Sequence, residues 1–234
     1  MRIAFLGNQQ RLDYLRTIAS PGVELENLSD FVGTKPRPSS IESRLEELEL
    51  AHWVIERSVE AERRGFDAVI TGCFGDPGVD AARELVRVPV IAPGETTLLT
   101  AKMLSHHFSI LSPLAETVPI AREQTHKVGV ASSVASVRPL GIPVETIRER
   151  APETLDRLVA LGRRCVEEDG AELLVFACAS MSLLAEDVAP AIGVPVINAV
   201  RLSVRAAEML VGTGLVHSAV TFPTPVKMAA ATRC

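Results

Sequence analysis

Two cysteines stand at matching places in this chain, and a thiol is one of the few side chains able both to take a proton from carbon and to return one. Cys73 closes the segment Gly65-Phe-Asp-Ala-Val-Ile-Thr-Gly-Cys, and Cys178 closes Gly170-Ala-Glu-Leu-Leu-Val-Phe-Ala-Cys. Both read glycine, one residue, an acid, four mainly apolar residues, a small residue, cysteine, at an offset of 105 residues. A helix-like stretch follows each, then Val-Pro-Val-Ile at Val88–Ile91 and at Val194–Ile197, where the offset has grown to 106. The chain is an internal duplication. Halves of that kind pack about a pseudo-twofold axis, which places the two thiols on opposite sides of whatever lies between them. A small molecule held there with an acidic C–H would lose a proton to one sulfur as thiolate and gain one from the other on the opposite face. The stereocentre inverts, with no metal and no organic cofactor. The small residues around each cysteine, among them Thr71, Gly72, Gly75, Ala177, Ala179 and Ser180, leave backbone N–H groups to hold the developing oxyanion. Each thiol precedes a helix, whose positive end is expected to lower its pKa. Cys165 has Glu60 as its repeat counterpart and reads as core packing, while Cys234 is terminal and reads as incidental.

The elements that must hold these cysteines alternate between strand and helix. Arg2–Leu6 is a short apolar run of the kind that forms a buried parallel strand, and Phe108–Leu111 is its counterpart. Ser39 and Glu42 have capping-box spacing, so a helix is expected from about Ile41, with Leu45, Leu48, Ala51 and Ile55 inward and Gly65 ending it. Its mirror runs from about Pro152, with Leu155, Leu158 and Val159 inward, to Gly170. This alternation implies βαβ units and parallel sheets, with sites at the C-terminal ends of the strands. Gly33–Ser40, rich in Pro and Ser, is the best candidate for a mobile loop or a plain surface connection. From His217 onward the pattern weakens.

Composition excludes several function classes. The 234 residues are 47% hydrophobic and 23% charged, as expected of a folded globular chain. Lys and Arg number 24 against 29 Asp and Glu, a net charge of −5 with no basic run, and only 9 residues are aromatic. That argues against nucleic acid and anionic membrane as partners. Ile3–Leu6 is too short for a signal sequence, and Leu173–Ala185 is shorter than the roughly 20 residues that span a bilayer, so a cytoplasmic protein is expected. There is no Cys-x-x-Cys pair, no metal-ligand spacing and no phosphate-binding glycine motif, so neither a metal nor a cofactor is expected. Asp76 and Glu95 follow strands and either orient a thiol or complement a helix dipole; His106 and His107 read as helix-end residues and Arg122 and Arg138 as surface residues.

Read together, Thr71-Gly-Cys-Phe-Gly-Asp-Pro-Gly-Val-Asp-Ala-Ala-Arg83, its flanks, and Ser136-Val-Arg-Pro-Leu-Gly-Ile-Pro-Val144 resemble the Asp/Glu/hydantoin racemase superfamily, and within it the hydantoin racemase branch. The resemblance covers nearly the whole chain and is weakest over about residues 9–40 and the tail. It implies an α/β fold of two pseudo-symmetric lobes, each a mainly parallel sheet flanked by helices, with the site in the cleft between them. The first lobe would be residues 1–94 plus about 206–234, and the second 95–205. It implies a homo-oligomer acting on a small molecule, Cys73 and Cys178 as acid and base, and Asn8, Phe74, Gly75, Ser112, Ala179 and Ser180 as substrate-binding positions. A 5-substituted hydantoin is the preferred substrate, because its ring C–H is more acidic than that of a free amino acid. Racemisation of allantoin or of amino acids, an isomerase or decarboxylase on the same scaffold, and a non-enzymatic binding protein are the alternatives. Where the branch has Gly-Cys-Ala-Gly-Met, this chain has Ala177-Cys-Ala-Ser-Met181. Ser112-Pro113 replaces a pair of threonines, and Asn198 replaces an aspartate.

Overall fold

The structure, a computed structural model, describes residues 1–28, 33–34, 37–149 and 152–229. The first half runs β1 (Arg2–Leu6), α1 (Gln9–Ile18), β2 (Glu24–Glu26), α2 (Arg44–Arg63), β3 (Ala68–Thr71), α3 (Val79–Leu85), β4 (Val90–Ile91) and α4 (Pro93–Leu104). The second runs β5 (Phe108–Ser112), α5 (Val118–Val128), β6 (Val134–Pro139), α6 (Val144–Arg148), α7 (Pro152–Asp169), β7 (Leu173–Phe176), α8 (Ala185–Ile192), β8 (Val196–Ile197) and α9 (Ala199–Thr213). A last turn, α10 (Val226–Ala229), ends the described chain. Two four-stranded sheets result, in the orders β2-β1-β3-β4 and β6-β5-β7-β8, with every pairing parallel. The orders are the same once the second half is renumbered from its own first strand, so the sequence repeat is a topological repeat. The central strands β1, β3, β5 and β7 are short apolar runs buried on both faces, as parallel strands between helical layers must be.

The two halves exchange their last helices. α4 puts Leu98 and Ala101 into the cluster of Phe108, Ile110 and Val175 on the second sheet. α9 puts Val200, Val204 and Ala207 against Ile3, Phe5 and Ile70 on the first. α4 and α9 also pack on each other. Each lobe's core is completed by a segment of the other, which fixes the cleft between them.

The expected start and face of α2 are corrected. Ser43, not Ser39, is the N-cap, with a capping box to Glu46. The sequence holds two consecutive Ser-x-x-Glu frames, and the second one is used. Leu45 and Leu48 are 66% and 70% exposed, while Leu50, Trp53, Val54 and Ala61 are buried. Gly65 and Gly170 end α2 and α7 at φ +74 and +69, as read from the sequence.

Candidate active site

Both cysteine turns follow the third strand of their sheet. After β3 the chain must pass so close to β1 that a Cβ on Gly72 would lie 2.3 Å from the Leu6 carbonyl, so glycine is required immediately before Cys73. α4 docks as tightly on the other side, where a Cβ on Gly94 would lie 1.9 Å from the Phe74 carbonyl. Asp76 then takes a left-handed conformation, φ 52, tolerated by aspartate better than by most residues. Its buried carboxylate accepts from the Gly94 and Glu95 N–H groups at 2.9 and 2.7 Å and from Gln124 Nε2 at 2.6 Å. Asp76 therefore pins the cysteine turn to α4 and α5. After β7, the Cys178 carbonyl accepts from the N–H groups of Met181 and Ser182, opening a short 3-10 turn.

Cys73 and Cys178 border one cleft that opens to solvent. It lies beyond the C-terminal ends of β1 and β3 on one side and of β5 and β7 on the other. Those are the points where the strand order of each sheet reverses, the place open α/β sheets put their ligands. Phe74, Gly75, Ala179 and Ser180 also line it. The Phe74 ring belongs to the α4–β5 core, so the turn's backbone is its contribution. Ser180 makes no side-chain cap to the turn it precedes. Asn8 and Ser112 are not brought to the wall. Asn8 caps α1, accepting from Arg11 N at 3.0 Å, and the Ser112 hydroxyl is bonded to Thr117 Oγ1 at 2.7 Å. Arg11 and Thr117 reach the cleft in their stead. Arg11 is held by Asn8 Oδ1 and donates to the Gly72 carbonyl at 2.7 Å.

Sequence reading missed Glu47, Ile120 and Val144, which also face the cleft. Their positions depend on how α2, α5 and α6 meet across two lobes. Residues 37–40, expected only as a loop, and Ile41, expected to open the helix, line the mouth, and Glu42 beside them accepts from the Val144 N–H of the second lobe at 2.8 Å. Residues 35–36 of that loop and Cys234 lie outside the described residues.

The expected lowering of the thiol pKa is corrected at Cys73. Burial pushes it up to about 12, Asp76, Cys178 and Glu47 push the same way, and the Gly75 N–H to its sulfur does not offset them. α3 begins only at Val79, too far on for its dipole to matter. Asp76 is itself pushed up to about 7 by burial, against the N–H groups of Gly94 and Glu95. Cys165 is buried in the core of the second lobe. Arg138 is spent on Asp169 and Glu168, Glu95 pairs with Arg83, and His106 and His107 lie beyond the end of α4. Among the described residues no group of three or more metal-ligating side chains assembles, and no helix is long and apolar enough to cross a membrane.

A duplicated pair of parallel-sheet lobes, each lending a cysteine turn to a shared cleft, defines a class of two-lobed α/β proteins built around paired thiols. The Asp/Glu/hydantoin racemase family matches residues 21–207. The chain belongs to this family and is an isomerase of the racemase type. It is 35% identical over 196 residues to a hydantoin racemase of Rhizobium meliloti, covering 83% of this chain and 81% of that protein. An allantoin racemase from Pseudomonas fluorescens superposes with a TM-score of 0.87 at 32% identity, covering 97% of both chains. One from Klebsiella pneumoniae does so at 0.88 and 29%, covering 96% of this chain and 94% of that one.

Proposed function

We propose that the chain racemises 5-substituted hydantoins, or related amino-acid derivatives, by proton transfer between Cys73 and Cys178. The observation that carries this is that the two cysteines, at equivalent positions of a duplicated fold, border the same cleft. Cys73 holds its proton at rest and begins as the acid, which gives Cys178 the part of base in that direction. The Cys178 thiolate takes the ring C5 proton, and the electron pair moves into the adjacent carbonyl as an enolate. N–H groups of the cysteine turns stabilise that oxygen. The Cys73 thiol then protonates C5 on the other face, leaving Cys73 as thiolate and Cys178 as thiol. Turnover in the opposite direction, or exchange with solvent, resets the pair. Ile41, Ile120 and Val144 give the cleft an apolar wall, which favours an apolar 5-substituent.

Allantoin is the 5-ureido member of the same ring class, and the two allantoin racemase structures support it as the second reading. Two thiols that must remain reduced fit a reducing cytoplasm, and the family resemblance supports self-association. The test is to incubate a single enantiomer of 5-benzylhydantoin or of allantoin with the protein at neutral pH and follow optical rotation. Rotation is expected to decay to zero with the natural chain and to stay constant with the Cys73→Ala/Cys178→Ala double variant. Racemisation by the double variant would overturn the mechanism.

A further inference from the structure

Glu47 is a carboxylate on the wall of the cysteine cleft, contributed by the first turn of α2. Its side chain is only 17% exposed and is held by Arg44 Nη1 at 2.9 Å. Arg44 reaches on to Glu123 of the second lobe, so the guanidinium joins the lobes behind the carboxylate. Gly75 makes room for it: a Cβ there would lie 2.9 Å from Glu47 Oε1 and 3.4 Å from Ile120 Cγ2. The carboxylate thus sits directly over the Cys73 turn. Of the described groups lining the cleft it is the carboxylate, and two guanidinium groups line it as well: Arg11, which donates to Asn8 and to the Gly72 carbonyl, and Arg37, which lies over the Trp53 ring.

A free amino acid would bring an ammonium, which Glu47 attracts, as well as a carboxylate, which it repels, so the charge of Glu47 alone does not separate it from a ring. A hydantoin ring brings no charge, two carbonyl acceptors and two N–H donors. Its carbonyls suit the backbone N–H groups of the cysteine turns, and its N–H edge needs an acceptor on the opposite wall. Resting on the reading proposed above, we infer that Glu47 is a specificity-determining residue that accepts a hydrogen bond from a ring N–H of the substrate and so favours rings that keep that N–H. A charged hydrogen bond of this kind is worth enough to separate a ring that has the N–H from one in which it is methylated.

The test couples a change in the protein to a change in the substrate. Initial rates are measured with 5-benzylhydantoin and with its N1-methyl and N3-methyl derivatives, for the natural chain, Glu47→Gln and Glu47→Ala. Thermal melting is followed alongside to show that each variant is folded. The natural chain is expected to lose about 10- to 100-fold in kcat/KM on methylation of one ring nitrogen. Glu47→Ala is expected to lose a similar factor on the unmethylated ring and then to show almost no further loss on methylation. Glu47→Gln, whose amide oxygen still accepts, falls between, and it stands in for Glu47→Ala if the alanine variant melts below assay temperature. A purely structural role would lower all three substrates by the same factor, and that result would overturn the inference while leaving the racemase reading in place. Absence of turnover with the natural chain on every hydantoin would overturn the racemase reading and this inference with it.

Discussion

At neutral pH Cys73 carries its proton, because burial and the neighbouring charges of Asp76, Cys178 and Glu47 all disfavour a thiolate there. A thiol at about 12 rather than at the ordinary 9.0 has about a thousandfold smaller thiolate fraction at pH 7. Iodoacetamide should therefore label Cys73 at least about 100-fold more slowly than a free cysteine peptide at pH 7, with the rate still climbing at pH 10. Peptide mass spectrometry of timed samples reads this directly, and labelling that levels off near pH 8 would contradict it. Both cysteines were legible in the sequence because a duplication marks equivalent positions without any knowledge of contacts. Glu47 was not, because a charged residue on a helix reads as a solvated face. What brings Glu47 inward is the packing of α2 beside Gly75, which no spacing within α2 reveals. Asn8 carried over by motif, yet its side chain is spent on the α1 cap.

The central strands β1, β3, β5 and β7 were readable at the scale of elements as short apolar runs, whereas the edge strands β2 and β6, half-exposed and partly polar, carry no such run and were not. The start of α2 was harder, because one Ser-x-x-Glu frame follows directly on another and only the structure shows that Ser39 is drawn to the cleft while Ser43 caps. Ser43→Ala should cost about 1 kcal/mol in urea denaturation, and Ser39→Ala almost nothing. α4 docks through Gly94, where an added methyl group would meet the Phe74 backbone rather than a side chain that can move. Gly94→Ala should cost about 3 kcal/mol and lower kcat by displacing the Cys73 turn.

The tail beyond α9, which had no clear pattern, is anchored by His217, whose Nε2 accepts the Val90 N–H at 2.6 Å. Burial, with the Arg83 charge, lowers His217 to about 4, while Glu95 opposes that shift. The folded state keeps His217 neutral, so its anchoring is fully present above the unfolded value of 6.5 and is lost as pH falls from there toward 4. Asp76 titrates in the opposite sense, its raised pKa making burial costlier as pH rises toward 7. The difference between the natural chain and His217→Gln isolates the histidine, and the stability advantage of the natural chain should shrink between pH 7 and pH 4.5.

For the molecule as a whole, function depends on two lobes being held at a fixed separation. The exchanged helices α4 and α9 do this from behind, and Asp76 with Gln124 does it at the cysteine turn. Asp80 with Lys127 ties the same helix, α5, to the first lobe at the surface, and Glu42 with the Val144 N–H closes the mouth. Glu42→Ala should raise KM about fivefold with a smaller change in kcat, because it loosens the segment over the opening and leaves both thiols in place. The overall plan was visible in the repeat, whereas an amphipathic helix does not say which sheet it will cover, so the placing of α4 with the second lobe came only from the family resemblance.

The most direct test of the paired-thiol account is deuterium exchange by the two single variants in D₂O, each assayed with separate enantiomers of one hydantoin. With one thiol left, a proton can be removed and replaced from one face alone. Cys73→Ala should introduce deuterium into one enantiomer without racemising it, and Cys178→Ala should do so with the mirror image. Exchange of the same enantiomer by both variants, or full racemisation by either, would contradict the account.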